Sequence, residues 1–177
     1  MKTLVLIFHP HINNSRVNKA LKQEVLKNTS KEVIVRDEYE KYPDEKIDVE
    51  LEQSLLEKAG RIVLQFPMYW YSCPSLLKKW EDQVLLHGWA YGSTGNALKG
   101  KEMIIAVSTG APAKNYHIYG DFHYTIDEML IPFKATSNLI GTKFLKPFIL
   151  QGVMQNLTDE QLKKESERYV DYILSTK

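Results

Sequence analysis

The chain lacks most of the features that declare a function outright. It has one cysteine, Cys73, so no internal disulfide can form, which suits a reducing compartment. An excess of one charge is missing too. The 23 Lys and Arg face 22 Asp and Glu, a net charge of +1, without the basic field of a nucleic-acid binder. No apolar run approaches the roughly 20 residues of a membrane span. The opening Leu4–Phe8 run stops at His9-Pro10, too short for the core of a signal peptide. Neither G-x-G-x-x-G nor G-x-x-x-x-G-K-[ST] occurs, so the dinucleotide turn and the P-loop are both excluded. His9, His11, His87, His117 and His123 match no H-E-x-x-H or Cys/His spacing, and no metal site is expected. At 177 residues the expectation is one cytoplasmic globular domain spanning 1–177, able to bury its core without staples.

What is present is a β-α alternation. Five short apolar runs, Leu4–Phe8, Val33–Val35, Ile62–Phe66, Met103–Val107 and Phe144–Leu150, are mostly continuous, as in strands covered on both faces. Helical patterns separate them. Val17, Ala20, Leu21 and Val25 follow Ser15 as N-cap, and Leu51, Leu55 and Leu56 lie within Val49–Lys58. Pro74 reads as a first-turn proline ahead of Leu76, Leu77 and Trp80. Thr125 with Glu128 is a capping box whose helix should kink at Pro132, and Thr158 with Gln161 caps the last helix. Five β-α units with right-handed crossovers predict an α/β fold, a three-layer doubly wound domain on a parallel five-stranded sheet. Ligands of such sheets bind outside the carboxyl ends of the strands, which directs attention to residues 9–18, 66–73 and 108–120.

Each of these loops has a functional and a plain reading. In the first, a helix N-terminus offers unpaired N–H groups to a phosphate. Ser15 and Asn18 are suited to ligate it and Arg16 adds charge; alternatively, Ser15 only caps the helix and the histidines are solvated. No acidic pair follows the first strand and the third ends in Phe66-Pro67, so a phosphoacceptor receiver of this fold has no site. In the second loop, Phe66, Tyr69, Trp70, Tyr71, Met68, Pro67 and Pro74 make a rigid apolar wall suited to a planar heteroaromatic ligand, or else to burial by a partner subunit. Cys73 beside them reads as a packed small residue, with no histidine at a fixed local spacing to activate it. In the third, Ser108-Thr109-Gly110-Ala111-Pro112 allows close backbone approach, and Tyr116 and Tyr119 could donate hydrogen bonds to a developing anion or pack below a surface turn.

Taken together, the run Gln65–Pro74 with Leu77-Lys78-Lys79-Trp80, the segments Gly88–Gly92 and Leu98–Lys101, and Ser108-Thr109-Gly110 resemble the quinone reductase family of flavodoxin-like NAD(P)H oxidoreductases. The likeness runs in order over nearly the whole chain. It is closest to short bacterial members that include ancillary oxidoreductases of glutathione-gated potassium efflux systems. The resemblance implies strand order 2-1-3-4-5 and a bound flavin, with FMN favoured over FAD because no extra segment is evident for an adenosine. It implies that His9, Ser15, Arg16, Val17 and Asn18 hold the phosphate side. Pro67, Met68, Tyr69, Trp70 and Tyr71 would line the isoalloxazine, and Thr109 and Gly110 its pyrimidine edge. Tyr116 matches a family tyrosine near that edge. Tyr119 stands where some members carry a histidine, and Ala111 where many have a second glycine.

The activity so implied is flavin-dependent NAD(P)H:quinone oxidoreduction. It would be a ping-pong hydride transfer in a homodimer, with NADH or NADPH leaving before a quinone or similar aromatic acceptor enters. Phe122-His123-Tyr124 and the aromatic loop would then be covered by the second subunit. Two other readings compete: a regulatory ancillary subunit docked on a potassium efflux transporter, and an electron carrier like flavodoxin. The carrier is disfavoured by the near-zero charge, since such proteins tend to be strongly acidic.

Overall fold

The computed structural model describes residues 1–28, 32–155 and 157–175. Strands β1 (Thr3–Ile7), β2 (Val33–Asp37), β3 (Arg61–Pro67), β4 (Glu102–Ser108), β5 (Lys143–Phe144) and β6 (Phe148–Leu150) alternate with helices. The helices are α1 (Arg16–Lys27), α2 (Glu38–Lys41), α3 (Val49–Lys58), α4 (Ser75–Val84), α5 (Ile126–Met129), α6 (Ile131–Leu139) and α7 (Asp159–Leu174). All pairings are parallel, in the order β2-β1-β3-β4-β5, with β6 continuing beside β4. This is the expected flavodoxin-like order.

The continuous apolar strands follow from double coverage. Leu4 and Leu6 point to one face, where they meet Leu56, Leu76, Trp80 and Phe133 of α3, α4 and α6. Val5 and Ile7 point to the other, against Val17, Leu21 and Val25 of α1 and Tyr169 and Ile173 of α7. Successive side chains leave opposite faces of a strand, so a strand with two buried faces is mostly apolar, and a polar residue in it, such as Gln65, needs a buried partner.

Three expectations need correction, and all three concern proline. The fifth strand is not one run over 144–150 but the two pieces β5 and β6. The ladder breaks over Leu145-Lys146-Pro147, where Pro147 has no N–H to donate. The helix opened by the Thr125–Glu128 capping box is broken at Leu130 rather than kinked. Pro132 cannot bond to the Glu128 carbonyl, so it sits in the first turn of the new helix α6, where its missing N–H costs nothing. Pro74 precedes α4 as its N-cap instead of occupying the first turn, and its carbonyl accepts from Leu77 N–H at 3.0 Å. The short α2 is an addition, capped by Asp37, whose side chain accepts from Glu40 N–H.

A buried ion cluster joins β2, α2, α3 and α4. Arg36 reaches Glu38 at 3.0 Å and Glu52 at 2.6 Å, while Glu52 also accepts from Tyr42 Oη (2.7 Å) and Trp80 Nε1 (2.9 Å). Glu38 and Glu52 are fully buried with one guanidinium between them, and Glu38 Oε2 has no hydrogen-bond partner among the described residues. Desolvation, reinforced by the charge on Glu52, pushes Glu38 up to about 7. Burial does the same to Glu81, also to about 7.

A carboxyl whose pKa is raised by folding stabilises the fold fully below its unfolded value, and that stabilisation is lost as pH rises through the folded value. Glu38→Gln, which cannot ionise, is therefore expected to gain in Tm relative to the unsubstituted protein as pH is raised from 5 to 8. The gain at pH 8 should be of the order of 1–3 kcal/mol, and thermal unfolding at a series of pH values checks it. Part of the pH dependence should survive through Glu81.

Candidate functional site

The chain leaves β1, β3 and β4 at the same edge of the sheet, where β1 and β3 lie side by side and the connections diverge to opposite faces. A cleft of about 250 Å³ opens there. Its walls are His9, Ser15, Arg16, Val17 and Asn18 from the β1 loop and the start of α1, Pro67, Met68 and Tyr69 from β3, and Ser108 and Gly110 from β4. The segment after β6 adds Val153 and Met154.

Ser15 caps α1, its hydroxyl accepting from Asn18 N–H at 3.1 Å, which leaves its own O–H free to donate. The N–H groups at the start of α1 have no intrahelical acceptors and carry the positive end of the helix dipole. Arg16 stands over the same turn, paired with Asp159 at 2.7 Å. His9 is partly buried and desolvation lowers its pKa, so the ring is neutral at pH 7. Its Nδ1 accepts the His11 N–H at 3.1 Å, which puts the ring proton on Nε2. His9 also borders a second hollow of about 390 Å³ that includes Lys22, Asp37 and Tyr39.

Asn18 forms the floor. Its side-chain nitrogen donates to Ser108 Oγ at 2.9 Å, and Gln65 donates to both its backbone and side-chain oxygens at 3.1 and 3.3 Å. Gln65 in turn accepts from Tyr169 Oη at 3.0 Å. This buried chain crosses α7, β3, α1 and β4, and it commits the Asn18 amide to the fold beneath the cleft.

The aromatic loop turns sharply at its tip. Tyr69 and Ser72 exchange backbone hydrogen bonds (3.2 and 2.9 Å), and both central residues, Trp70 (φ 48°) and Tyr71 (φ 61°), are left-handed. That is the pattern of a type I′ turn, which normally recruits Gly or Asn. Two bulky residues there hold strain of about 1 kcal/mol or more each. The turn presents Trp70 at 93% exposure and Tyr71 at 48%.

Beside the cleft lies a depression of about 380 Å³ lined by Tyr71, Asp121, Phe122, Tyr124 and Met129. Phe122 packs edge-on between Tyr71 (5.4 Å) and Tyr116 (4.9 Å). Tyr119 is 89% exposed and lines neither hollow. Thr109 is buried, its hydroxyl donating to Ala111 O at 3.0 Å, so it shapes the loop while Gly110 meets the cleft. Nine of the residues expected to hold a flavin, and Ser108 of the third loop, thus share one concavity. Trp70, Tyr71, Thr109, Tyr116 and Tyr119 do not line it, and Tyr71 lines the neighbouring depression instead. Val153, Met154 and Asp159 were not foreseen. The segment after β6 also leaves a strand carboxyl end, where ligands of such sheets bind, and that position is the signal for Val153 and Met154.

With this geometry in view, the chain matches over residues 1–173 the family model described as a flavodoxin-like fold. It belongs to that family. Among relatives, the uncharacterized NAD(P)H oxidoreductase YrkL of Bacillus subtilis is 49% identical over 177 residues, covering 98% of both chains. The ancillary protein KefF of a glutathione-regulated potassium-efflux system from Salmonella typhimurium is 39% identical over 172 residues, covering 97% of this chain and 95% of KefF. Of solved structures, general stress protein 14 of Treponema denticola in complex with FMN is 38% identical with a TM-score of 0.93, covering 98% of each chain. An NADPH-quinone reductase from P. pentosaceus is 31% identical with a TM-score of 0.88, covering the whole of both chains. The family's fold accounts for the position of the cleft at the β1–β3 switch point. No helix among the described residues is long and apolar enough to cross a membrane.

The strained turn makes a direct prediction about stability. Trp70→Gly relieves a left-handed conformation while removing a side chain with little contact, so the ligand-free protein should gain roughly 0.5–1 kcal/mol. Trp70→Ala keeps a Cβ in the strained region and should show no such gain. Thermal unfolding of the two variants side by side separates strain from side-chain loss.

Proposed function

We propose that the protein is a flavin-dependent NAD(P)H:quinone oxidoreductase that binds FMN in this cleft. The observation that carries the reading is the meeting, in one concavity, of a helix N-terminus with Ser15 and Arg16, an aromatic turn held under strain, and Gly110. The residues fit the group. Gly110 offers bare backbone to the cleft wall, beside the exposed Met154 side chain that can move aside. The α1 N–H groups and the Ser15 hydroxyl are donors suited to a phosphate dianion. The FMN complex of the 38% identical Treponema protein supports the same assignment.

Ser15, the first N–H groups of α1 and Arg16 would hold the phosphate, with the neutral His9 ring donating beside them. Pro67, Met68, Tyr69, Trp70 and Tyr71 would line the ring system, and Gly110 would allow close approach at its polar edge, on a loop held by Thr109. When bound, the flavin supplies two-electron acceptance and donation. Tyr116, its ring packed against Phe122, would supply a hydrogen-bond donor toward that edge, and Tyr119, 89% exposed, would stay in solvent. Asn18 keeps the floor rigid from below. The names of the YrkL and P. pentosaceus relatives support NADH or NADPH as donor and a quinone as acceptor. With no separate nicotinamide motif in the sequence, donor and acceptor would use the same flavin face in turn, a ping-pong cycle.

One protomer leaves the site half-built. At about 250 Å³ the cleft is smaller than the ~300–1,000 Å³ typical of small-molecule sites. Met154 of its wall and Trp70, next to Tyr69 of its wall, stand exposed, as do Tyr119 and Tyr124. A second copy of the chain would cover these side chains and complete the walls.

Titration of the purified protein with FMN should saturate at one flavin per chain and turn the protein yellow. NADH or NADPH should bleach it anaerobically, and a quinone should restore the colour, with parallel double-reciprocal plots in steady state. Sedimentation should give a dimer. A protein that takes up neither FMN nor FAD sinks the reading. The 39% identity to KefF favours a second role, docking to a potassium efflux transporter, for which co-purification with a membrane transporter is the test.

A further inference from the structure

Arg16 and Asp159 lie 143 residues apart and occupy the first positions of α1 and α7. Their ion pair, Arg16 Nη2 to Asp159 Oδ1 at 2.7 Å, ties a wall residue of the cleft to a carboxylate that itself lies outside the cleft, in the groove between α1 and α7. The same side of the cleft is held by residues 152–154, whose N–H groups bond to Ala111, Thr109 and Gly110 carbonyls. Asp159 is thus joined to the site through Arg16 alone: its side chain is 97% exposed and makes no other hydrogen bond among the described residues, while Arg16 is 47% exposed.

We propose that Asp159 is a competing counter-ion: it pairs with Arg16 and opposes the flavin phosphate for it, setting how strongly the protein prefers a phosphorylated flavin. The inference rests on the FMN reading above. A phosphate drawn to the α1 N-terminus and Arg16 comes close to a carboxylate that already neutralises the guanidinium, and the like charges repel. An exposed pair is held weakly, by an energy equivalent to a factor of about two to five in a binding constant, so a dianion backed by the helix dipole can displace it. Occupancy of the cleft and closure of the α1–α7 pair then exclude one another, and by linkage each weakens the other by the same factor. The exchange involves no proton and no covalent step; Arg16 trades one anion for another.

Asp159 also favours the fold from its place in the first turn of α7, where a negative charge complements the helix dipole. Its removal therefore has effects of opposite sign, a slightly lower Tm without flavin and tighter binding of FMN. A residue with only a structural role would lower both.

The experiment measures dissociation constants for FMN and for riboflavin, which lacks the phosphate, by quenching of flavin fluorescence. The unsubstituted protein, Asp159→Asn, Arg16→Gln and the double variant are compared, with Tm recorded without flavin. Asp159→Asn should bind FMN about two- to fivefold more tightly, leave riboflavin unchanged and lose a little Tm. Arg16→Gln should weaken FMN alone, and in its background the gain from Asp159→Asn should disappear. Raising the salt concentration should shrink the gain. The inference is overturned if Asp159→Asn leaves FMN affinity unchanged or lower, which would make Asp159 a support for Arg16, or if riboflavin tightens equally. Failure of the unsubstituted protein to bind either flavin would overturn the flavin reading and this inference together.

Discussion

Beneath the cleft, a chain of buried hydrogen bonds runs from Tyr169 through Gln65 and Asn18 to Ser108. It is the constraint on which the site depends. Buried polar groups are costly unless satisfied, and here each finds its partner on a different element. The start of α1 is thereby set against the ends of β3 and β4, with α7 behind. Ser15, Arg16 and the helix N–H groups stand where they do because Asn18, one turn inside, cannot shift without orphaning Gln65 and Ser108. A floor of this kind suits a site whose upper walls are loops, since rigidity below replaces the rigidity that loops lack.

The upper walls are built on the opposite principle. Trp70 and Tyr71 occupy left-handed backbone that costs free energy, and they put apolar rings into water. Neither feature stabilises the isolated chain. The fold carries them because two fully covered sheet faces provide ample apolar burial elsewhere. The same surplus accommodates the buried Arg36–Glu38–Glu52 cluster, where two carboxylates share one guanidinium and one oxygen goes unpartnered. Stability is thus concentrated in the middle of the molecule, and strain and exposure at the edge where ligands bind.

Much of the fold was legible because its signals are local. The capping boxes at Thr125–Glu128 and Thr158–Gln161 formed as read, since a cap needs only residues three apart. The proline-related departures had a different origin. Pro132 and Pro147 each remove one N–H, but whether an element bends, restarts or splits depends on what packs around the gap. The left-handed turn at Trp70–Tyr71 carries no glycine or asparagine to announce it. Its conformation is imposed by the Tyr69–Ser72 backbone pair and by the direction in which β3 and α4 leave the loop.

The amino-acid sequence by itself determined the β-α order, the doubly covered sheet and the three loops at its carboxyl edge, because periodicity, capping and strand hydrophobicity act over a few residues. Only the tertiary structure decided that Val153 and Met154 wall the cleft, that Asp159 pairs with Arg16, that Asn18 is spent on the floor and that Tyr116 packs against Phe122 outside it. Those relations join residues far apart in the chain, up to the 143 positions between Arg16 and Asp159. They exist only once the sheet order brings the loops together.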